Sequence, residues 1–159
     1  MKNILSKWIG FTYGLTAVGK TSVCEHLCER LSTLRHIKNS SLKRSLVNEP
    51  YRADDSRNEE LRTLSYRKSL QEAESQLKQG AIPIIDASFH NRSRRDDLFK
   101  TSDELNAKLF CLHLTCSRTT SEQRISLRKK ERPSWKNQAN EVSVYDHLIQ
   151  TQQVLEANE

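Results

Sequence analysis

Four short runs along the chain are rich in apolar and β-branched residues. They cover residues 8–13, 34–38, 81–86 and 107–116, and the second is the least apolar of them. Consecutive apolar residues, as opposed to a strict alternation of apolar and polar ones, are typical of strands that are buried on both faces of a sheet. We expect the run at 107–116, which is too apolar for a surface strand, to be another central strand.

Between these runs, apolar residues recur every three or four positions, which is the spacing of an amphipathic helix. The pattern predicts a helix that starts at Lys20 and carries apolar residues as far as Leu34. Further helices are predicted over residues 40–46, 59–79, 92–100, 119–128 and 145–155.

Local signals predict where some of these elements begin and end. Gly80 is the expected stop of the longest predicted helix. Pro133 must end the helix predicted over residues 119–128. Thr119-x-x-Glu122 matches a capping box and is expected to open that helix. Strands that alternate with helices predict an α/β fold with a mostly parallel, doubly wound sheet. The length suits one domain over residues 1–159.

The segment between the first predicted strand and the first predicted helix fits the pattern G-x-x-x-x-G-K-[ST], which is the Walker A motif or P-loop. Its backbone N–H groups are expected to cradle a polyphosphate at the start of the helix. The predicted nucleotide-binding residues are Gly14, Leu15, Thr16, Ala17, Val18, Gly19, Lys20, Thr21 and Ser22. We expect Lys20 to reach the outer phosphates and the Thr21 hydroxyl to hold Mg²⁺.

A carboxylate ends the strand predicted over residues 81–86. Ligands in an open parallel sheet bind beyond the carboxyl ends of the strands, where the P-loop and Asp86 both fall. Asp86 is therefore predicted to hold Mg²⁺ or to accept a proton from an attacking hydroxyl. The alternative is that Asp86 caps a helix before Ser88.

Arginines are spaced four residues apart near the C-terminus, at Arg124, Arg128 and Arg132, so that they share one face of a helix. Like charges on one face repel one another. A solvated surface can tolerate that repulsion, but in a P-loop enzyme such arginines stabilise the charge on a transferring phosphoryl group. Arg124 and Arg128 are the predicted catalytic pair.

Other basic residues are candidates for binding an anionic substrate. Arg92, Arg94 and Arg95 follow Asp86 at the same edge of the sheet, although neighbouring aspartates could neutralise them locally. Lys43, in the short helix over residues 40–46, is a further candidate. His90 by itself is more often a surface residue than a base.

The overall charge supports a local anion site. The chain has 159 residues, with 26 Lys and Arg against 20 Asp and Glu, which makes a formal net charge of +6. Residues 118–136 contain seven Lys and Arg against two Glu, so nearly all of the surplus lies there. This concentration favours a local site over a broad nucleic-acid face, although the end of a polynucleotide could also use it.

Cysteine and histidine spacing predicts no zinc motif. The four cysteines form no C-x-x-C pair and the five histidines form no H-E-x-x-H pattern, so the cysteines are expected to be reduced thiols in the core. The N-terminus carries no signal-peptide pattern, and no apolar run has the length of a membrane span. These features predict a cytoplasmic protein that does not enter a membrane.

The P-loop and its surroundings resemble those of the small P-loop kinases, a group with AAA-type ATP binding that includes polynucleotide 5′-kinases, zeta-toxin-like, chloramphenicol-phosphotransferase-like and adenylylsulfate kinases. The segment from Ile84 to Phe89, followed by Arg92 and Arg95, is similar to the strand-Asp-x-[ST] segment of that group. Residues 55–62 and 10–12 are similar to stretches of the adenylylsulfate kinases.

The resemblance implies a three-layer P-loop NTPase fold with a short arginine-bearing lid, at about residues 117–138. It also implies ATP and Mg²⁺ as cofactors, and transfer of the γ-phosphate to a hydroxyl of a small metabolite or nucleotide. Arg124 and Arg128 fall where the lid arginines of the group lie.

The chain departs from the group on the acceptor side. The group has an Asp after the second strand and an Arg three residues later, and these positions hold Ser40 and Lys43 here. The Lys-Gly-Leu-Tyr segment of adenylylsulfate kinases is absent. Two alternatives to an active metabolite kinase therefore stay open: a catalytically weak or inactive nucleotide-binding regulatory protein, and a polynucleotide 5′-hydroxyl kinase. The sequence does not identify the acceptor, the preferred base or the oligomeric state.

Overall fold

The computed structural model describes residues 6–47, 58–131 and 142–156. In chain order its elements are β1 (Lys7–Tyr13), α1 (Lys20–Arg30), β2 (Leu34–Lys38), α2 (Asn39–Ser45), α3 (Asn58–Lys78), β3 (Ile82–Asp86), α4 (Arg92–Glu104), β4 (Ala107–His113), α5 (Arg118–Glu131) and α6 (Val142–Thr151).

The four strands form one parallel sheet in the order β2-β3-β1-β4. In the register of the sheet, Gly10 of β1 lies opposite Ile84 of β3 and Phe110 of β4. β1 therefore has a strand on each side, and the loop that follows it leaves the middle of the sheet. The prediction that β4 is a central strand was wrong. Within the described residues β4 is an edge strand, and most of its side chains are only partly buried.

Helices cover both faces of the sheet, which confirms the predicted three-layer α/β fold. Ile9, Phe11 and Ile85 pack with buried residues of α3 and α4 on one face. Ile84, the neighbour of Ile85, packs with Cys24 of α1 on the other face. Successive side chains of a strand point to opposite faces, so each apolar strand joins two cores. This arrangement explains why the strands are apolar without alternation.

The end of α1 and the start of α5 differ from the sequence prediction. α1 ends at Arg30, and Leu34 is the first residue of β2, where it is buried on the sheet. α5 begins at Arg118, one residue before the predicted cap. The hydroxyl of Ser117 accepts a hydrogen bond from the N–H of Thr120 at 3.2 Å, so Ser117 caps this helix and Thr119 lies inside it. Pro133, the predicted loops at 48–57 and 137–141, and the end of the predicted lid lie outside the described residues.

The segment after α6 returns to the carboxyl edge of the sheet. α6 ends at Thr151, four residues before the predicted end of the closing helix. The N–H of Gln153 then donates to the carbonyl of His90 at 2.9 Å, and its carbonyl accepts from the Tyr13 hydroxyl at 3.1 Å. None of the helices in the described ranges is long and apolar enough to cross a membrane.

Candidate functional site

The P-loop connects the carboxyl end of β1 to the start of α1, and its backbone is held in conformations that favour glycine. Gly14 has a φ of 144°, and a Cβ at this position would lie 2.3 Å from the carbonyl oxygen of Leu114. Gly19, immediately before α1, has a φ of 105°, and Ala17 has a φ of 63°. Residues with positive φ, alternating with residues of negative φ, can turn successive N–H groups into one concavity. The loop therefore has the backbone of an anion site at a helix N-terminus.

The remaining P-loop residues support this backbone. Thr16 and Val18 are buried, and Ala17 packs with Ile125 of α5 and Tyr145 of α6, with Leu15 against the same small core. Ser22 lies in the first turn of α1 and is exposed. α5 and α6 therefore pack against the loop and hold it in place.

Lys20 is folded back onto the loop. Its Nζ donates hydrogen bonds to the carbonyl oxygens of Gly14, at 3.0 Å, and Leu15, at 2.6 Å. Burial lowers the pKa of Lys20 to about 8; the Asp86 carboxylate opposes that shift, and the positive charge of Arg128 adds to it. A bound phosphate would supply the negative charge that the buried ammonium lacks.

Asp86 lies next to the P-loop at the end of β3 and is 7% exposed. Its Oδ2 accepts a hydrogen bond of 2.6 Å from the hydroxyl of Thr21. The Nε2 of His36, on the adjacent strand β2, lies 3.2 Å from the same oxygen. The alternative that Asp86 caps the next helix is wrong, because α4 is capped by Asn91, whose side chain accepts from the N–H of Ser93 at 2.9 Å.

The donor set at this point fits Mg²⁺. A hydroxyl and a carboxylate oxygen are hard oxygen ligands, and Mg²⁺ in nucleotide sites is usually held by one or two such groups together with phosphate oxygens and water. Thr21 and Asp86 supply these two groups within one hydrogen bond of each other. His36, which sequence reasoning did not select, belongs to the same cluster.

α5, in the segment predicted to be a lid, places an arginine on the P-loop. Nη1 of Arg124 donates a 3.0 Å hydrogen bond to the carbonyl of Ala17. Arg128, one turn further along α5, is close enough to Lys20 to lower its pKa. Arg124 therefore contacts the P-loop backbone and Arg128 lies near Lys20, whereas Arg132 lies outside the described residues.

Lys43, Arg62, Arg94 and His90 form a second group of basic side chains, which we call the basic cluster. Burial lowers the pKa of Lys43 to about 8, and repulsion from Arg62 and Arg94 adds to the effect. The pKa of His90 falls to about 4 through burial and the same two arginines. The buried Nδ1 of His90 has no hydrogen-bond partner within the described ranges.

Other contacts hold the basic cluster in position. Nζ of Lys43 donates a 2.7 Å hydrogen bond to the side-chain oxygen of Asn58. Arg94 pairs with Glu59 and lies over the ring of Tyr66, 4.4 Å from its centre. Of the four members, Lys43 and Arg94 were predicted as candidates for binding an anionic substrate. Arg62 lies in the segment 55–62 that resembles the adenylylsulfate kinases, whereas His90 was expected to be a surface residue.

Arg92 and Arg95 contact the C-terminal segment. Arg95 is fully buried, and its guanidinium donates to the carbonyl oxygens of Phe89, at 2.9 Å, Gln153, at 3.1 Å, and Val154, at 3.2 Å. Arg92 is exposed, pairs with Glu156 at 2.8 Å and lines a surface cavity of about 560 Å³ between α4 and β4.

Ser40, at the position of the missing acidic residue, is exposed on α2.

Several solved structures with the same fold are described as kinases, but their sequences are distant. A candidate kinase from Chloroflexus aurantiacus J-10-fl matches with a TM-score of 0.75 at 14% identity, over 90% of this chain and 78% of that one. A gluconokinase from Sinorhizobium meliloti 1021 matches with a TM-score of 0.59 at 18% identity, over 94% and 75%. A chain of the Pnkp1/Rnl/Hen1 RNA repair complex matches with a TM-score of 0.63 at 12% identity, over 99% and 51%.

At these identities the solved structures establish the fold, which is that of the small P-loop kinases. No curated protein matches the sequence. The family model described as an AAA domain matches residues 10–153, which include the P-loop, Asp86 and the described lid arginines. The chain therefore belongs to the AAA-domain family and has the α/β fold of a small P-loop kinase.

Proposed function

We propose that this protein is an ATP- and Mg²⁺-dependent phosphotransferase that transfers the γ-phosphoryl group of ATP to a hydroxyl. The observation that carries the proposal is the convergence of Lys20, Thr21 and Asp86 at the carboxyl edge of the sheet, with Arg124 on the same loop. These are the parts that phosphoryl transfer requires: a phosphate cradle, oxygen ligands for the metal and cations for the developing charge.

Each side chain has a distinct task in this proposal. The P-loop N–H groups and Lys20 bind the β- and γ-phosphate oxygens. Thr21 and Asp86 hold Mg²⁺, which neutralises charge on the phosphates. Arg124 and Arg128 bind the transferring group and stabilise the charge that grows on it. Lys20 would leave the carbonyls of Gly14 and Leu15 to reach the phosphates.

Asp86 is better placed to hold the metal than to act as the base. Both Thr21 and His36 already engage its Oδ2, and the residue is almost wholly buried. A general base must lie within hydrogen-bond reach of the acceptor hydroxyl. Since a loose phosphoryl-transfer transition state needs little proton removal, positioning and charge stabilisation can carry the reaction.

We infer further that the acceptor carries an anionic group. Among the described residues, the basic cluster brings the cations of Lys43, Arg62 and Arg94 together with the carboxylate of Glu59. Burial, and then repulsion from the two arginines, lowers the pKa of Lys43. A phosphate or carboxylate would relieve the repulsion and would accept a hydrogen bond from neutral His90. The expected acceptors are therefore hydroxyl compounds that bear an acid group, such as a sugar acid or a nucleotide.

Transfer of label from γ-labelled ATP into a metabolite extract tests the main proposal. We expect labelled product with the wild-type protein and none with Lys20→Ala. Lys78→Ala is the matched control, because Lys78 is exposed at the end of α3, where the chain enters the amino end of β3. An unchanged rate in Lys20→Ala would overturn the mechanism.

Paired acceptors test the proposed acceptor class. A sugar acid and its parent sugar differ in a single carboxylate, and the acid should have the higher kcat/KM. Lys43→Met should remove most of the difference by raising KM, while Arg44→Met, on the exposed side of the same helix, should preserve it. Equal kcat/KM for the two compounds would exclude this acceptor class.

The exposed Ser40 favours a second candidate, a nucleotide-binding regulatory protein with little or no turnover. Tight ATP binding without product from any member of an acceptor panel would support it. A polynucleotide 5′-hydroxyl kinase is a third candidate, and saturable binding of a short oligonucleotide that weakens with salt would support that function.

A further inference from the structure

Three potential metal ligands of different chemistry lie together beneath the P-loop. They are the thiol of Cys24 on α1, the imidazole of His36 on β2 and the carboxylate of Asp86 on β3. One ligand atom from each lies within 4.8 Å of the other two. His36 Nε2 and Asp86 Oδ2 are already 3.2 Å apart. The three residues come from separate elements, which explains why their sequence spacing shows no metal motif.

The burial of the three side chains is consistent with a preformed site. Cys24 is fully buried, Asp86 is 7% exposed and His36 is half-buried. Ile84 and Leu34 pack around Cys24 from the adjoining strands. The apolar packing fixes the thiol, and the contact with Asp86 keeps the imidazole beside the carboxylate, so all three side chains are already close together before an ion binds.

This donor set selects a metal other than Mg²⁺. Mg²⁺ takes oxygen ligands, whereas Zn²⁺ binds a thiolate, an imidazole nitrogen and a carboxylate oxygen in four-coordinate sites. With bonds of about 2.0 to 2.3 Å, neighbouring ligand atoms of a tetrahedral zinc site lie roughly 3.3 to 3.8 Å apart. Small side-chain rotations would bring the three atoms to that spacing, with a water in the fourth position.

We propose that Zn²⁺ binds to Cys24, His36 and Asp86 and thereby inhibits this protein. On binding, the Cys24 thiol loses its proton to solvent, a sulfur–zinc bond forms, and no redox change takes place. The inhibition rests on the phosphotransferase proposal, because Asp86 cannot hold Mg²⁺ for the nucleotide while it binds Zn²⁺. Zinc bound to Asp86 Oδ2 would also displace the Thr21 hydroxyl, which donates its hydrogen bond to that oxygen.

The surrounding charges act on such a site in both directions. Glu25, the next residue on α1, adds negative charge near the thiol. Lys20 lies close to both Cys24 and Asp86 and repels a dication. When ATP is bound, its phosphates would draw Lys20 away. Zinc and Mg·ATP would nevertheless compete, since they share Asp86.

Cobalt absorption tests the site without any reference to activity. Co²⁺ takes the place of Zn²⁺ in such sites and absorbs in the near ultraviolet when it is bonded to a thiolate. We expect this band in the wild-type protein and in Cys28→Ala, and its loss in Cys24→Ala. Cys28 is the matched control, because it lies one turn further along α1 and outside the cluster. No band in the wild type, or a band that survives in Cys24→Ala, would overturn the proposal.

A second variant tests the site if Cys24→Ala fails to fold. His36→Asn keeps the thiol and removes one ligand, so Zn²⁺ affinity should fall by at least about tenfold. Unchanged affinity in His36→Asn would overturn the proposed ligand set.

The proposed inhibition is tested separately. The outcomes distinguish failure of the phosphotransferase proposal from failure of the zinc-site proposal. Zn²⁺ should inhibit phosphotransfer in the wild type and in Cys28→Ala at concentrations that leave Cys24→Ala active. Cobalt binding without any phosphotransfer would refute the phosphotransferase alone. Phosphotransfer without cobalt binding would refute the zinc site alone, and equal inhibition of all three proteins would refute inhibition through Cys24.

Discussion

Thr21 donates a 2.6 Å hydrogen bond to Asp86, and this contact joins the P-loop to the end of β3. The two residues are 65 positions apart in the chain. They meet because β1 and β3 are parallel neighbours whose carboxyl ends lie at one edge of the sheet. The contact defines the point at which the proposed metal would be held.

Replacing Asp86 with Asn tests that role. The amide oxygen can still accept from Thr21, so the fold should persist, but the negative charge that would hold Mg²⁺ is lost. We expect kcat to fall by about 100-fold or more, in line with the loss of a preorganised electrostatic group. Steady-state kinetics and thermal unfolding measure the two effects, with Asp97→Asn, on an exposed position of α4, as the control. A kcat equal to that of the wild type would contradict the metal role.

Nucleotide affinity should depend on pH through Lys20. The pKa of Lys20 is lowered from 10.5 to about 8, so in the free protein the side chain loses its proton as pH rises through about 8. Between pH 8 and 10.5 the unfolded state binds more protons at this side chain than the folded state does. The contribution of Lys20 to the free energy of unfolding therefore rises with pH over this range. Bound phosphate favours the charged form and raises the pKa again.

The expected result is that ATP binding takes up protons above pH 8 and weakens as pH rises further. Titration calorimetry at pH 9 in two buffers of different ionisation enthalpy measures the uptake. Lys43 has a similar pKa, so the comparison is repeated in Lys43→Met. Proton uptake that vanishes in that variant would assign the effect to Lys43 and not to Lys20.

Arg124 should act mainly on the rate. In the described structure it donates to the Ala17 carbonyl on the P-loop, so a nucleotide would find the guanidinium already close to the phosphates. Arg124→Ala should lower kcat by about 100-fold, the order expected for a cation that binds a transferring phosphoryl group. Lys129→Ala removes an exposed cation from the same helix and should change kcat little. Equal effects of the two substitutions would indicate a general electrostatic contribution of α5.

Arg95 should matter for stability. Its guanidinium is fully buried and donates to three backbone carbonyls, two of them in the segment after α6. Arg95→Met leaves these carbonyls without their donor, and we expect the free energy of unfolding to fall by about 3 kcal/mol. Urea unfolding measures the change. Arg92→Met, which removes an exposed ion pair with Glu156, should cost no more than about 1 kcal/mol. A loss of less than 1 kcal/mol in Arg95→Met would show that the C-terminal segment is not held by this residue.

Strands and helices could be predicted because their signals are local. The run at 8–13 became β1 and the long helical pattern became α3, with boundaries within a residue or two. The position of β4 in the sheet could not be predicted in this way. An apolar run shows that a strand is buried, but the number of neighbouring strands depends on which other segments join the sheet. For the same reason Ser117 and not Thr119 caps α5, since both carry a hydroxyl and only the path of the chain decides between them.

The features of the candidate site also divide into those that a local sequence pattern predicts and those that depend on the tertiary structure. By itself the sequence determined the P-loop, because eight consecutive residues create that geometry and a helix start completes it. The tertiary structure alone decided that Asp86 meets Thr21, that His36 and Cys24 share its surroundings, and that Arg95 anchors the C-terminal segment. Those contacts follow from the order β2-β3-β1 and from the packing of α1 and α4 on opposite faces, which no local pattern of residues encodes.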